Sequence, residues 1–197
     1  MAMTIRQRIM KLAYPLILWF RQISTKEKLR CNAKKTAPPV SFYSLSATQN
    51  NGTAFSFEQL KGKKILLVNT ASDCGYTAQY AELQKLYRHA KEDVEIIAFP
   101  SNDFKDQEKG SDEDIAQFCS VNFGVSFPLT KKAVVVKDPG QHPVYQWLTN
   151  PKLNGWNDKA PAWNFAKYLV NEEGILTHYF DPGISPVSTD VLKAIQE

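Results

Sequence analysis

Cysteine is scarce in this chain of 197 residues: Cys31, Cys74 and Cys119 are all it has, and no two of them stand in a Cys-x-x-Cys spacing. That excludes a disulfide-stapled scaffold and a thiolate metal cage, while single-thiol chemistry stays open. Histidine is as rare, and His89, His142 and His178 have no metal-ligand spacing. Long apolar runs are missing too. Leu12 to Phe20 is nine residues without a charge, against about 20 for a helix that crosses a bilayer. With 43% hydrophobic and 22% charged residues, what remains is one globular domain plus some excess.

The excess is at the start. Residues 1–35 carry nine Lys and Arg against Glu27 alone, a balance of +8, which leaves fifteen basic against nineteen acidic residues, or −4, for residues 36–197. The body therefore offers no basic field for nucleic acid. We divide the chain into a basic and apolar leader, residues 1–37, and a folded domain, residues 38–197. In the leader, Trp19 and Phe20 beside Arg21 suit an interfacial anchor on a membrane surface, through residues 6–35, where apolar burial and attraction to anionic lipid add. A loosely docked extension is an equal reading, and an uncleaved anchor facing the periplasm is a third. A cleaved signal peptide is disfavoured, because Arg21 closes the apolar run and no small-x-small site follows. The placement expected from this is cytoplasmic, with or without contact to a membrane surface.

After Ala37-Pro38-Pro39 the pattern becomes regular. Val40 to Ala47 reads as a strand, with a turn at Gln49-Asn50-Asn51-Gly52, which also explains the glycosylation-like Asn51-Gly52-Thr53. Lys64 to Asn69 and Val94 to Phe99 read as buried strands. Apolar residues at Tyr80, Leu83, Leu86, Tyr87 and Ala90 give a helix over 77–91. Ser111 to Asp114 has capping-box form and opens a second helix carrying Cys119. Val134 to Lys137, a helix near Val144 to Leu148, paired strands at 166–171 and 175–180, and a helix from Ser188 complete the series. Alternating strands and helices followed by a hairpin imply an α/β fold, a thioredoxin-like three-layer sandwich with a central mixed sheet. In such sheets the active site lies beyond the carboxyl ends of the strands.

Cys74 stands at such a place. The chain leaves the strand ending near Thr70 and enters a helix within a few residues of it, so unpaired amides and the positive helix end favour a thiolate. Gly75 permits close backbone approach, and Asp73 opposes the effect if its carboxylate turns inward. A buried structural thiol is an equally weighted reading of position alone. Cys119, inside an amphipathic helix, reads as core packing or as a thiol that resolves an oxidised Cys74. A disulfide needs Cα atoms within about 7 Å, so that second role requires local unwinding. Gln107, Trp163 and Asn164 supply neutral hydrogen-bond donors that suit a thiolate. Singly, each also reads as an ordinary loop or core residue.

Three stretches taken together say more. N-T-A-S-D-C-G-Y-T at 69–77, A-F-P-S-N-D-F-K-D-Q-E at 98–108 and W-N-F-A-K-Y-L-V at 163–170 resemble the glutathione peroxidase family in its cysteine form, over a body that begins near Val40. The resemblance implies a peroxidatic Cys74, a tetrad completed by Gln107, Trp163 and Asn164, and a resolving Cys119, matched by I-A-Q-F-C at 115–119. It also implies a hydroperoxide substrate, thioredoxin or glutathione as reductant, no cofactor and no metal. A connection at 137–163 that is short beside tetrameric relatives favours a monomer. The chain departs from the family pattern at Ser101, Asp103 and Lys105, where Cys, Gln and Gly are usual, and at Lys109 in place of Pro. Without a Cys at 101, Cys119 is left as the resolving candidate of the body, Asp103 brings an extra carboxylate toward the site, and no basic cluster suits a glutathione carboxylate.

The cycle so implied runs from Cys74 thiolate to sulfenic acid, then to a Cys74–Cys119 disulfide, then to reduction by a dithiol. Two alternatives stand beside it. One is a thiol-disulfide oxidoreductase, against which Cys74-Gly75-Tyr76-Thr77 lacks a second Cys. The other is a membrane-associated thiol redox sensor.

Overall fold

The computed structural model describes residues 3–22 and 29–197. In chain order the strands are β1 (Leu29–Cys31), β2 (Ser46–Thr48), β3 (Ala54–Ser56), β4 (Lys64–Thr70), β5 (Val94–Pro100), β6 (Lys167–Val170) and β7 (Leu176–Phe180). The helices are α1 (Ile5–Gln22), α2 (Gln79–Ala90), α3 (Asp112–Phe123), α4 (Pro143–Leu148), α5 (Pro151–Asn154) and α6 (Thr189–Gln196). Five strands form one sheet in the order β1-β7-β6-β4-β5, and β2 and β3 form a separate hairpin around Gln49–Gly52. β4 and β5 run parallel, joined through α2, while β6, β7 and β1 are added antiparallel. This is the thioredoxin-like mixed sheet that the alternation of elements implies.

The apolar runs of β4 and β5 serve two faces at once. Leu66, Val68, Ile96 and Ala98 join a core with Tyr80 and Leu83 of α2, Ile115 and Phe118 of α3 and Val191 of α6. Ile65, Leu67, Ile97 and Phe99 pack on the other side against Phe42, Phe57, Tyr145 and Trp147. Side chains alternate across a strand, so a continuous hydrophobic segment demands cover above and below, and three layers result. The start of α3 follows the sequence signal. Ser111 and Asp114 form the reciprocal capping box, and Gly124 closes the helix at φ 64°, a conformation that glycine adopts without penalty.

One expected strand is cut short and the stretch at 134–137 forms none. In 40–47, Phe42 to Ser44 make a 3-10 turn and only 46–48 extend. Phe42 and Tyr43 are both buried in the same apolar cluster, whereas a strand sends successive side chains to opposite sides. At 134–137, the amides of Val135 and Val136 donate to Oδ2 of Asp103, at 2.6 and 3.2 Å, and that carboxylate takes the place of a neighbouring strand.

Within the stretch read as a leader, Leu29–Cys31 pairs with β7, and Arg30 meets Asp158 at 2.7 Å. α1 lies against the body through Tyr14, which is 6% exposed and donates to Oε2 of Glu82 at 2.9 Å. The anchor role expected of Trp19 and Phe20 beside Arg21 falls on side chains outside those described. Among the described residues, no helix is long and apolar enough to cross a membrane.

Candidate active site

Three loops meet at one end of the sheet. Cys74 follows the carboxyl end of β4 and Gln107 follows that of β5, and the two strands run parallel. Trp163 and Asn164 precede β6, which is antiparallel to β4, so their loop enters at the same end. That is the location at which open α/β sheets gather functional side chains.

The Cys74 loop is a run of tight turns that feeds α2. Thr77 N donates to Cys74 O, Gln79 N to Tyr76 O and Tyr80 N to Thr77 O. Thr77 Oγ1 accepts from Cys74 N at 3.0 Å and donates to Ala71 O at 2.9 Å, which fixes the chain on both sides of the sulfur. Tyr76 N points at Cys74 Sγ from 3.4 Å. An amide aimed at sulfur favours the thiolate over the thiol. Cys74 is 2% exposed, and no disulfide joins it to Cys31 or Cys119. A substrate oxygen therefore needs movement of the loop or of its cover.

Gln107 and Asn164 are brought into contact, with Asn164 Nδ2 donating to Gln107 Oε1 at 3.0 Å. Their link to the cysteine loop is through the backbone, where Asp73 N donates to Gln107 O at 3.0 Å. Trp163 packs its ring on Phe104, with centroids 5.5 Å apart, and Lys105 Nζ lies 5.8 Å from the same ring. Three of the four non-glycine residues with positive φ among the described residues lie here. Lys105 and Asp106 have φ of 54° and 52° just before Gln107, and Phe165 has φ of 69° just after Asn164. Non-glycine residues in that region persist only where surrounding contacts hold them.

Several of those contacts come from residues that motif reading passed over. Asn69, inside the apolar β4, donates from Nδ2 to Trp163 O at 3.1 Å and accepts at Oδ1 from Ala166 N at 3.1 Å. It brackets the whole 163–166 turn. An amide in an otherwise apolar strand was the available signal, since a buried Asn needs partners. Glu108 is 1% exposed and accepts from Ser72 Oγ at 3.1 Å. Burial drives its carboxyl up to about 7, against the pull of Ser72 and Lys132 and with a further push from Asp73. The carboxylates of Asp73 and Asp103 both have partners of their own. Asp73 Oδ2 meets Arg6 Nη1 at 2.9 Å, and Asp103 holds the 135–136 amides.

Cys119 is fully buried in α3, and burial pushes its thiol up to about 12, with the Tyr80 hydroxyl lowering it and Glu108 raising it. Cys74 and Cys119 belong to one apolar cluster but sit in separate elements. Cys31 is exposed on β1, opposite His178 of β7. An open cavity of about 550 Å³ adjoins the site, lined among others by Gln7, Ser72, Asp73, Gln107, Glu108 and Phe118. Among the described residues, no cluster of His, Cys, Asp and Glu suits a metal ion.

A family model described as "Glutathione peroxidase" matches residues 42–149. The chain is 47% identical over 134 residues to the glutathione peroxidase-like peroxiredoxin HYR1 of Saccharomyces cerevisiae, covering 68% of this chain and 82% of that protein. It is 43% identical over 158 residues to the glutathione peroxidase homolog BsaA of Staphylococcus epidermidis, covering 79% and 99%. Among solved structures, the T. cruzi protein GPX1 superposes with a TM-score of 0.59 at 27% identity, over 78% of this chain and 92% of that one. These relatives carry peroxidase names, and the membrane-associated sensor finds no support among them.

Proposed function

The chain belongs to the glutathione peroxidase family and is a peroxidase, and from that premise we propose that Cys74 is the sulfur that reduces the hydroperoxide. The observation that carries this reading is the convergence at one sheet end of Cys74, with the Tyr76 amide on its sulfur, and the bonded pair Gln107–Asn164. In the first step the Cys74 thiolate attacks the distal oxygen of ROOH. The O–O bond breaks, Cys74 becomes a sulfenic acid, and RO⁻ takes a proton and leaves as ROH. Gln107, Trp163 and Asn164 hold the loop geometry around the reacting atoms and present neutral polar groups, which stabilise negative charge without competing for the proton.

In the second step the Cys119 thiol condenses with the sulfenic acid, a disulfide forms and water leaves. A dithiol of the thioredoxin kind then reduces the disulfide by exchange, returning two thiols here and carrying away one disulfide. A second thiol in the same chain, Cys119, allows an internal disulfide, and that favours a dithiol of the thioredoxin kind over glutathione. Hydrogen peroxide and organic or lipid hydroperoxides are the substrates, and the working unit is a monomer.

Steady-state turnover of hydrogen peroxide with thioredoxin and with glutathione supplied separately tests this scheme. Cys74→Ser is expected to abolish turnover with both; a wild-type rate would remove Cys74 from the chemistry. Cys119→Ser is expected to stop thioredoxin-coupled turnover while still giving one trappable sulfenic acid per chain. Normal cycling of that variant with thioredoxin would return Cys119 to a packing role.

A further inference from the structure

α1 docks with the wrong side inward for an ordinary amphipathic helix. Met3, Gln7, Met10 and Tyr14 turn toward the body: Met3 and Tyr14 pack on its apolar cluster, Gln7 Nε2 donates to Ser72 O at 3.0 Å and Tyr14 donates to Glu82. On the opposite side, Ile5 is 78% exposed, Ile9 59%, Leu12 81% and Leu16 61%. Their spacing of four, three and four places them in a single stripe along the helix. A helix docked for the sake of its own burial would have turned these four inward. Here the aliphatic stripe faces away from the protein.

The charge beside the stripe names its partner. Arg6 and Arg8 flank it on the two sides at helical spacing, and Lys11 sits on the same helix. Nine cations against one anion in residues 1–35 oppose the net negative body. An aliphatic stripe between basic flanks has the composition of a helix lying in the plane of an anionic lipid surface. Stripe-to-stripe packing of two copies would instead bring the two basic flanks together, which like-charge repulsion disfavours.

We propose that the outward stripe of α1, Ile5, Ile9, Leu12 and Leu16, seats the protein on anionic lipid bilayers. The seat is not remote from the site. Arg6 grips Asp73 and Gln7 grips the Ser72 carbonyl, both beside Cys74, and Tyr14 meets the Tyr76 ring edge-on at 6.4 Å. A bilayer bound to one side of α1 therefore lies one helix diameter, about 10 Å, from the loop fixed to its other side.

Flotation of the full chain with vesicles tests this without any peroxide present, so its outcome is independent of the catalytic cycle. The protein is expected to float with phosphatidylglycerol–phosphatidylcholine vesicles, less at high salt, and to stay behind with phosphatidylcholine alone. The double variant Ile5→Glu with Leu12→Glu is expected to reduce flotation on the order of tenfold, while its circular dichroism and its turnover of hydrogen peroxide stay as in the wild type. No flotation of the wild type with the anionic vesicles, or equal flotation of the double variant, overturns the proposal. So does a wild-type dimer in solution that the double variant converts to a monomer without any vesicle binding, which would assign the stripe to a second copy.

Discussion

Asn69 does for the site what no motif residue does: it holds the turn that carries Trp163 and Asn164 by both ends. Replacing it by Ala strands a buried carbonyl and a buried amide, at a cost of about 2–3 kcal/mol. Asn69→Ala is expected to lower both the urea midpoint and, at temperatures where the variant is fully folded, kcat/KM for peroxide. A variant that loses stability but keeps full activity would show that the bracket serves the fold alone. Glu108 adds a pH dependence. Its folded carboxyl titrates near 7 against 4.5 for the ordinary group, so the folded state binds the proton more tightly. The stabilisation is complete below pH 4.5 and is lost as pH rises through 7, a change of about 3 kcal/mol. Glu108→Gln keeps a partner for Ser72 and has nothing to titrate. Urea unfolding of the two proteins should therefore show the variant gaining by about that amount relative to the wild type between pH 4.5 and 7.5, and parallel curves would refute the assignment.

At the scale of elements, α3 faces conflicting demands. With its thiol pushed up to about 12, Cys119 is thiolate in only about one molecule in 10⁵ at neutral pH. Cys119 O also accepts the Val125 amide and shares the Gly124 amide with Ser120 O where the helix closes. Disulfide formation with Cys74 thus requires the second half of α3 to open. Hydrogen exchange of amides 115–123 is expected to quicken by at least an order of magnitude after stoichiometric oxidation by peroxide, and unchanged protection would argue against the Cys74–Cys119 bond. The start of α3 was legible, because Ser111 and Asp114 are local signals for it. β4 and β5 were legible for the same reason of locality. The segments at 40–47 and 134–137 were not. Phe42 is buried against Phe57 and Trp147, and Asp103 reaches 32 residues along the chain to Val135. Both outcomes depend on partners that no window around the segment contains.

Over the whole molecule, the legible features were those spread along the chain: the alternation of strands and helices, and the split between a basic start and an acidic body. The grouping of Cys74, Gln107 and Asn164 was implied by the family resemblance, while the docking of α1 beside the Cys74 loop was not, since it rests on single contacts of Arg6 with Asp73, Gln7 with Ser72 and Tyr14 with Glu82. β1 carries a consequence of another kind. Its three residues occupy the outer edge of β7, whose sequence Leu-Thr-His-Tyr-Phe has no proline and no charge when His178 is neutral. A bare strand of that composition is a template on which a second molecule can grow a continuing sheet. Proteolytic trimming through Cys31 should therefore show up first as rising light scattering on storage, and β1 is best understood as the guard that keeps one molecule's sheet from becoming the next one's scaffold.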